Sequence, residues 1–371
     1  MNSSTNISEY ISNIQNPEKK QYFSEIIDLL KKPGRKVAYH AFCTDGAISA
    51  ALLKLVGEGD IFVPLDYSII NNKILGPWLS VQEWYAIVDL KPINTTFTAE
   101  LYVDHHISGL GAKFNAKRIH FETGKTGPSG AFVLWKYMIN KFKFPRYVKV
   151  LIEMSVITDT ASYKTPAPIT LFEKENYEFS DDQLDSKRFH KAIWDLQDAL
   201  TFENKTVNPN NLCVDLLAKG GLEILLENEI IIKRINKHRS DRMLTLEFAK
   251  TLTATELTTI INPKTRNVQD FLVHYLTNNG AKVVVILKED PFDKTCSISL
   301  RQSKLNQKSE KDKYRLDTFA KLFTGGGGGH IEAAGSHSNS LKEAIEIIET
   351  WSKEKELKSI SYNVEKALNY N

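Results

Sequence analysis

A carboxylate and two adjacent histidines end a short apolar run near the middle of the N-terminal half of the chain. The run is Leu101 to Val103, and the polar groups that follow it are Asp104, His105 and His106. Carboxylate oxygens and imidazole nitrogens together suit borderline divalent cations such as Mn²⁺, with Mg²⁺, Co²⁺ and Zn²⁺ as alternatives. Three such groups at a predicted strand end indicate metal chemistry, provided that other segments supply partners for them.

Three further clusters of possible ligands also follow apolar runs. They are His40, Cys43 and Asp45 after 37–39, Asp89 after 86–88, and Asp159 after 156–158. In open α/β sheets, ligands bind outside the carboxyl ends of the strands, so clusters at such ends converge. Carboxylates gathered in one crevice repel one another unless cations lie between them. We therefore interpret the four clusters as one site, where two metal ions would serve a phosphoester hydrolysis.

Each cluster has a simpler explanation when it is taken alone. A single aspartate after a strand is usually a turn residue or a helix cap, which applies to Asp89 and Asp159. A single histidine such as His40 is more often a core or strand-end residue. The four clusters together, with Gly46 at the first predicted strand-to-helix turn, favour the metal site.

Length and composition indicate a globular protein of more than one domain. The chain has 371 residues, 42% hydrophobic and 25% charged, which predicts two domains with ordinary cores. A net charge of +3 is too small to indicate a nucleic-acid binder by itself. There is no run of about 20 apolar residues, so we expect no membrane partner. A polar N-terminus and three widely spaced cysteines favour a cytoplasmic protein without a disulfide framework.

The pattern of short apolar runs separated by helices predicts an α/β protein with a mostly parallel sheet. The predicted regions are a helical N-terminal extension (1–35), a catalytic domain (36–200), a helical linker (201–245), a smaller α/β domain (246–355) and a charged, frayed tail (356–371). The linker is predicted as one long helix over 212–239, with an optional break at Gly220 and Gly221. A further helix is predicted over 314–323.

The ordered set of motifs resembles the DHH phosphoesterase family in its two-domain DHH–DHHA1 arrangement. The matching segments are His40 to Gly46, Asp89, Asp104-His105-His106 and Asp159, followed in the second domain by Ser299-Leu300-Arg301, Gly326 to His330 and Ala333-Ala334-Gly335. Each motif is weak alone, and the match becomes specific because all of them occur in family order across residues 36 to 340.

The resemblance implies a pair of divalent metals, usually manganese, in a cleft between the two domains. It implies that Asp89 bridges the two ions, that His105, Asp159 and Asp45 hold one of them, and that His40 holds the other. Asp104 would orient a ligand or bind a metal indirectly, and His106 would face the scissile phosphate as a donor or acid. The remaining implied contacts, to a non-scissile phosphate or nucleotide, are Arg301, Gly327, Gly328, Gly329 and His330.

One position departs from the family pattern. The first motif commonly has two aspartates around one residue, and here Cys43 stands at the first of these positions. A thiolate binds divalent metals but favours softer ions than manganese. Cys43 is therefore either a ligand of the His40 metal or an inert strand-end cysteine, and the occupancy of that metal site is open.

Three other features allow two interpretations. The glycine run from Gly325 to Gly329 is either a flexible spacer or a place where unobstructed backbone N–H groups approach a phosphate, and we favour the phosphate. The basic stretch 304–315 is a solvated loop or a backbone contact for a polynucleotide. The helix that begins near Gly127-Pro128-Ser129 is core, and its N-terminal turn is able to bind an anion.

These observations favour a metal-dependent phosphoesterase that hydrolyses short oligonucleotides or small nucleotides. Candidate substrates are short RNAs, dinucleotides and 3'-phosphoadenosine 5'-phosphate. The alternatives are an inorganic pyrophosphatase or exopolyphosphatase, and a non-catalytic nucleotide-binding protein, which Cys43 keeps open. The sequence does not distinguish RNA from DNA or a monomer from a homodimer.

Overall fold

A computed structural model describes residues 3–70, 72–91, 97–106, 109, 115–201, 206–263 and 269–364. The chain divides into two compact units, Met1–Lys237 and His238–Asn371. No helix in the described ranges is both long enough and apolar enough to cross a bilayer.

The first unit contains a five-stranded parallel sheet with the strand order β2-β1-β3-β4-β5. The strands are β1 Lys36–His40, β2 Ile61–Leu65, β3 Glu83–Val88, β4 Thr98–Asp104 and β5 Asn115–Phe121. Because all five are parallel, their carboxyl ends share one edge of the sheet. The predicted α/β fold with a parallel sheet is confirmed.

Helices cover both faces of this sheet. Side chains of β1 alternate between two cores, with Val37 and Tyr39 in one and Ala38 in the other, and none of the three is exposed. Burial on both faces explains why the central strands are continuous apolar runs. The helices are α1 Ser3–Ser12, α2 Pro17–Lys31, α3 Thr44–Leu55, α4 Tyr67–Ile70, α5 Leu75–Ser80, α6 Gly130–Met138, α7 Arg146–Asp159, α8 Lys187–Leu200 and α9 Val207–Glu227.

The linker helix predicted over 212–239 is two helices, not one. Helix α9 is kinked where Gly220 and Gly221 leave helical geometry, and Gly221 has a φ of 70°. It ends at Asn228, which has extended backbone, and α10 Glu229–Ala249 begins directly afterwards. The Asn228 side-chain oxygen accepts a hydrogen bond from the Ile230 N–H, so this residue caps the new helix.

The second unit contains a mixed six-stranded sheet with the order β11-β6-β7-β8-β10-β9. Its strands are β6 Leu257–Ile261, β7 Val283–Glu289, β8 Cys296–Gln302, β9 Gly327–Gly329, β10 Ala333–Ser338 and β11 Ser359–Asn363. The helices that follow α10 in the chain are α11 Gln269–Asn278, α12 Lys308–Lys313, α13 Leu316–Phe319 and α14 Leu341–Glu354. The prediction of a single helix over 314–323 is wrong, because α13 ends at Phe319 and a short 3-10 turn follows it.

The tail prediction is wrong for part of its length. Residues 359–363 form strand β11, which pairs in parallel with the buried strand β6. Lysines and glutamates before this strand give the segment its polar appearance, and the pairing with β6 overrides it. Residues 365–371 of the predicted tail lie outside the described residues.

Candidate metal centre

The first cluster sits where β1 turns into helix α3. His40 is the last residue of β1, Phe42 adopts a φ of 57°, and Cys43 is the N-cap of α3. Left-handed backbone at a bulky residue is uncommon and concentrates at functional sites. The Cys43 side chain makes no capping hydrogen bond. The turn therefore brings His40, Cys43 and Asp45 to the same end of the strand.

Gly46 allows this tight turn. A Cβ atom at Gly46 would lie 2.1 Å from the His40 carbonyl oxygen, so no side chain fits there. The helix consequently packs closely behind the residue that carries the first imidazole.

We predict that Gly46→Ala destabilises the protein by about 1–3 kcal/mol, because overpacking a rigid backbone contact has costs of that order. Gly328→Ala is the matched control, since a methyl group at Gly328 would have no heavy atom within 4 Å and the backbone there has no positive φ. Its expected effect on stability is within about 0.5 kcal/mol. The free energies of unfolding from denaturant titrations test this, and equal stabilities for the two variants would contradict it.

Asp89 occupies the centre of the site. It follows β3 directly, has a φ of 55°, and donates its backbone N–H to the Val103 carbonyl at 3.0 Å. Its Oδ2 lies 3.4 Å from His40 Nδ1, and its Oδ1 lies 3.5 Å from His105 Nε2. One carboxylate therefore faces imidazoles from two different strands.

The two adjacent histidines face different groups. His105 Nε2 lies 3.5 Å from carboxylate oxygens of Asp45, Asp89 and Asp159. His106 Nδ1 lies 2.6 Å from Asp104 Oδ1, which is a short hydrogen bond to a carboxylate. Because this bond fixes the His106 ring, its other nitrogen is free to face a ligand, and 23% of the side chain is exposed.

Asp159 reaches the site from the end of a helix and not from a strand. It is the last residue of α7, and residues 156–158 are helical. Its carboxylate nevertheless lies opposite His105. The apolar run before it packs the helix on the core, and apolar content alone does not distinguish a buried helix from a strand.

Asp45 is held by the N-terminus of helix α6, and this contact was not predicted. Its two carboxylate oxygens accept hydrogen bonds from the backbone N–H groups of Gly130 at 2.5 Å and Ala131 at 2.8 Å. These are the first residues of α6, whose N-cap is Ser129. The predicted anion site at this helix N-terminus therefore exists, and a carboxylate of the protein fills it. Ser-Gly before an apolar helical run is the sequence signal for this helix start.

The electrostatics of the site follow from burial. Asp45, Asp89 and Asp104 are each at most 1% exposed. Burial, reinforced by Asp89 and Asp159, raises the pKa of Asp45 well above its ordinary value. Burial also raises the pKa of Asp159. Carboxylates with raised pKa values in one crevice indicate a shortage of positive charge.

The histidines supply part of that charge. Burial alone would raise the pKa of Asp89, but the facing rings of His105 and His40 outweigh it and hold that pKa below its usual range. Burial would lower the pKa of His105, yet the carboxylates of Asp89, Asp45 and Asp159 raise it to about 10. Burial and the nearby aspartates raise the pKa of the Cys43 thiol. A divalent cation would relieve the same repulsion.

The donor set fits such a cation. Five buried side-chain atoms of the site have no hydrogen-bond partner among the described residues: His40 Nδ1, both carboxylate oxygens of Asp89, Asp104 Oδ2 and His105 Nε2. Buried polar atoms are rarely left unsatisfied, so these atoms indicate a missing ligand. Three groups place their ligand atoms within 4.8 Å of one another: His40-Cys43-Asp89, Asp89-His105-His106 and Asp45-His105-Asp159.

The predicted substrate residues of the second unit lie on strands β8 and β9 and in the turn between β9 and β10. Arg301 of β8 is opposite Ala333 of β10, and Gly329 of β9 is opposite Ala334. His330 is exposed and lies in the turn between β9 and β10, where its N–H donates to the Ala333 carbonyl at 2.7 Å. The register thus brings Arg301, Gly329 and His330 to one end of this sheet.

The glycine run is an ordered element, so the spacer interpretation is wrong. A Cβ at Gly327 or Gly329 would lie within 2.5 Å of a carbonyl oxygen, from Ala320 and Ala333 respectively. Glycine is required at both positions for strand packing. A Cβ at Gly328, between them, would have no heavy atom within 4 Å.

Two basic residues of the stretch 304–315 are ion-paired. Lys311 lies 2.9 Å from Glu332, and Arg315 lies 2.7 Å from Asp317. These pairs favour the solvated-surface interpretation of the stretch.

The sequence matches no protein-family model and no curated protein. Its structure is similar to that of a pGpG-specific phosphodiesterase, PggH, from Vibrio cholerae. The TM-score is 0.56 at 15% identity, over 87% of this chain and 99% of that one. The exonuclease RecJ bound to manganese gives 0.47 at 14% identity, over 90% and 93% of the two chains. RecJ from Thermus thermophilus in complex with Mn²⁺ gives 0.49 at 13% identity, over 92% and 55%.

The first of these similarities carries the fold assignment, because both RecJ scores lie below 0.5. The two-domain fold implied by the resemblance to the DHH phosphoesterases is confirmed. At 15% identity the similarity concerns the fold alone. Activity has to be argued from the site.

Proposed function

We propose that the protein is a metal-dependent phosphoesterase that hydrolyses short oligonucleotides or small nucleotides. The observation that carries the proposal is the convergence of three ligand groups that overlap at Asp89 and His105, with five buried ligand atoms that have no hydrogen-bond partner among the described residues. Buried polar atoms are rarely left unsatisfied, so a site without a ligand would not keep five of them without a hydrogen-bond partner.

Two ions would divide the residues as follows. Asp45, His105 and Asp159 would hold one ion, His40 and Cys43 would hold the other, and Asp89 would contact both. When bound, the two ions, which we propose to be Mn²⁺ with Mg²⁺ or Co²⁺ as substitutes, lower the pKa of water and neutralise charge on the phosphate. The backbone N–H groups of Gly130 and Ala131 hold the Asp45 carboxylate in place without a metal.

His106 is the proposed catalytic residue that touches the substrate. Asp104 accepts from one ring nitrogen, so the opposite nitrogen is directed away and donates a hydrogen bond to the phosphate or a proton to the leaving oxygen. Asp104 positions His106 and does not itself contact substrate. This arrangement separates a metal-binding histidine, His105, from an acid, His106.

The second unit carries the proposed phosphate contacts. Arg301 and His330 bind a non-scissile phosphate, and the strand Gly327 to Gly329 approaches it, since it carries no side chains. The proposal rests on the resemblance of these segments to the DHHA1 signature and on their grouping at one end of the sheet.

Substrate assays with purified protein and Mn²⁺ test the proposal. The panel is a linear dinucleotide such as pGpG, a five-nucleotide RNA and DNA, 3'-phosphoadenosine 5'-phosphate, pyrophosphate and polyphosphate. The dinucleotide comes first because the structure with a TM-score of 0.56 belongs to a pGpG-specific phosphodiesterase. Turnover of a nucleotide substrate is expected. Turnover of pyrophosphate alone would indicate a pyrophosphatase. No turnover of any of these substrates by the metal-loaded protein would indicate a non-catalytic nucleotide-binding protein.

In this proposal Cys43 makes the metal position at His40 favour softer ions than manganese. Cys43→Asp should shift that preference toward manganese. An oxygen ligand suits manganese better than a thiolate, so we expect Mn²⁺ to bind at least about tenfold more tightly, or ~1.4 kcal/mol. Calorimetric titration with Mn²⁺ measures this. Wild-type protein loaded with Co²⁺ should also show a sulfur-to-cobalt charge-transfer band in the near ultraviolet.

Cys43→Ser is the control, since serine, like aspartate, is a favoured N-cap for α3 but is a poor metal ligand. It should lose the cobalt band without gaining manganese affinity. An unchanged Mn²⁺ affinity in Cys43→Asp, with no band in the wild type, would show that Cys43 is not a ligand.

A further inference from the structure

An unpaired basic cluster lies on the edge of the first unit, outside the metal site. It consists of Arg118 and His120 on the edge strand β5, Tyr137 on α6, and Lys141 just beyond that helix. Arg118 donates to the Tyr137 hydroxyl at 2.8 Å, and Lys141 Nζ lies 3.5 Å from the centre of the Tyr137 ring. The rings of His120 and Tyr137 are 3.9 Å apart. Two cations thus meet at one phenol.

The charge of this cluster is not neutralised by the described part of the protein. Two neighbouring lysines are ion-paired, Lys117 with Glu100 at 2.7 Å and Lys136 with Glu122 at 2.5 Å. Arg118 and Lys141 are both exposed, and neither forms an ion pair with a carboxylate of the described residues. Burial would raise the pKa of Tyr137, but Lys141 and Arg118 outweigh it and lower that pKa. An uncompensated pair of cations held this closely favours an anion.

The cluster is also within reach of the metal site along two elements. Helix α6 begins at Gly130, which holds the metal-site carboxylate Asp45, and Tyr137 follows seven residues later, about 10 Å along the helix axis. On the sheet, His120 is paired with Val103, the residue before Asp104. About 10 Å corresponds to roughly three stacked nucleotides. An oligonucleotide with one end at the metals would therefore extend to this edge.

We propose that Arg118 and Lys141 bind phosphates of a single-stranded oligonucleotide beyond the two nucleotides nearest the scissile bond. The inference rests on the proposed function and adds a chain-length preference to it. The His120–Tyr137 ring pair positions the two cations. A dinucleotide is too short to touch the cluster, so the cluster acts only on longer substrates.

Kinetics of the double variant Arg118→Ala with Lys141→Ala test the inference. For a five-nucleotide substrate we expect KM to rise about tenfold at low salt, as for the loss of a charge-assisted contact. The slope of log KM against log salt should become shallower by about 1.4, the value for two phosphate contacts on a single strand. For a dinucleotide, KM and kcat should stay at wild-type values.

The control is Lys31→Ala with Lys32→Ala, which removes the same charge at the end of α2, next to the amino end of β1. This control variant should leave KM unchanged for both the five-nucleotide substrate and the dinucleotide. Equal KM changes in the test and control variants, or an equal effect on the dinucleotide, would overturn the inference while leaving the proposed function intact.

A binding measurement separates the inference from catalysis. Fluorescence anisotropy with a labelled pentanucleotide, in EDTA, measures affinity without turnover. Weaker binding by the double variant than by its control supports the cluster even if the wild type hydrolyses none of the substrates. Identical affinities would overturn it. Failure of the proposed function is therefore recognised separately, by absent turnover in the wild type.

Discussion

Replacing Asp89 with asparagine should abolish stoichiometric manganese binding and reduce turnover by about 10³-fold or more. Its carboxylate faces both His40 and His105, so it is the one residue common to both proposed metal positions. Loss of a single preorganised electrostatic contact already reduces rates by about 10²–10³-fold. Asparagine is the appropriate replacement because it tolerates the positive φ of this position.

Metal titration and turnover are measured on the same preparations, with Asp195→Asn as the control. Asp195 is an equally buried aspartate that accepts a hydrogen bond from the Tyr177 hydroxyl at 3.0 Å. The control should bind manganese as the wild type does. Retention of two manganese ions by Asp89→Asn would contradict a bridging role.

The second large effect is expected from His106→Ala, which should lower kcat by about 10²–10⁴-fold, the range for losing a general acid. Metal stoichiometry should remain that of the wild type, because His105 and not His106 faces the three carboxylates. This combination distinguishes an acid from a ligand. It is measured by steady-state kinetics together with a manganese titration.

His274→Ala serves as the comparison for His106→Ala, since His274 is an exposed histidine on α11. It should leave kcat unchanged. Full activity in His106→Ala would remove its catalytic role, whereas loss of a metal ion would reassign it as a ligand. Asp104→Asn should give a smaller decrease than His106→Ala, because it disturbs the orientation of the ring and leaves the ring in place.

Much of the site was predictable because strand ends are easily recognised in a parallel sheet. The runs before His40, Asp89 and Asp104 are buried on both faces, so each is a continuous apolar segment with a sharp polar end. Asp159 differs from these residues because it does not follow a strand. Its run is apolar because α7 packs on the core, and a helix end delivers the carboxylate.

Two features could not be predicted from the sequence: the backbone contacts of Asp45 and the edge strand β5. The N-terminal turn of α6 was predicted to be able to bind an anion, but any helix N-terminus offers such N–H donors, so nothing identified Asp45 as the anion. Strand β5 was missed because, as an edge strand, it is mostly exposed and carries Lys117 and Arg118 in place of an apolar run. The basic cluster depends on this strand and so became visible only with the fold.

The number of divalent ions bound per chain tests the two-metal centre most directly. Protein stripped with a chelator, titrated with Mn²⁺ and analysed for bound metal after dialysis should retain two ions per chain. Turnover of the dinucleotide should disappear in the stripped protein and return as the second ion binds. Retention of no manganese by the wild type, or full turnover in the stripped protein, would contradict the proposed metal-dependent mechanism.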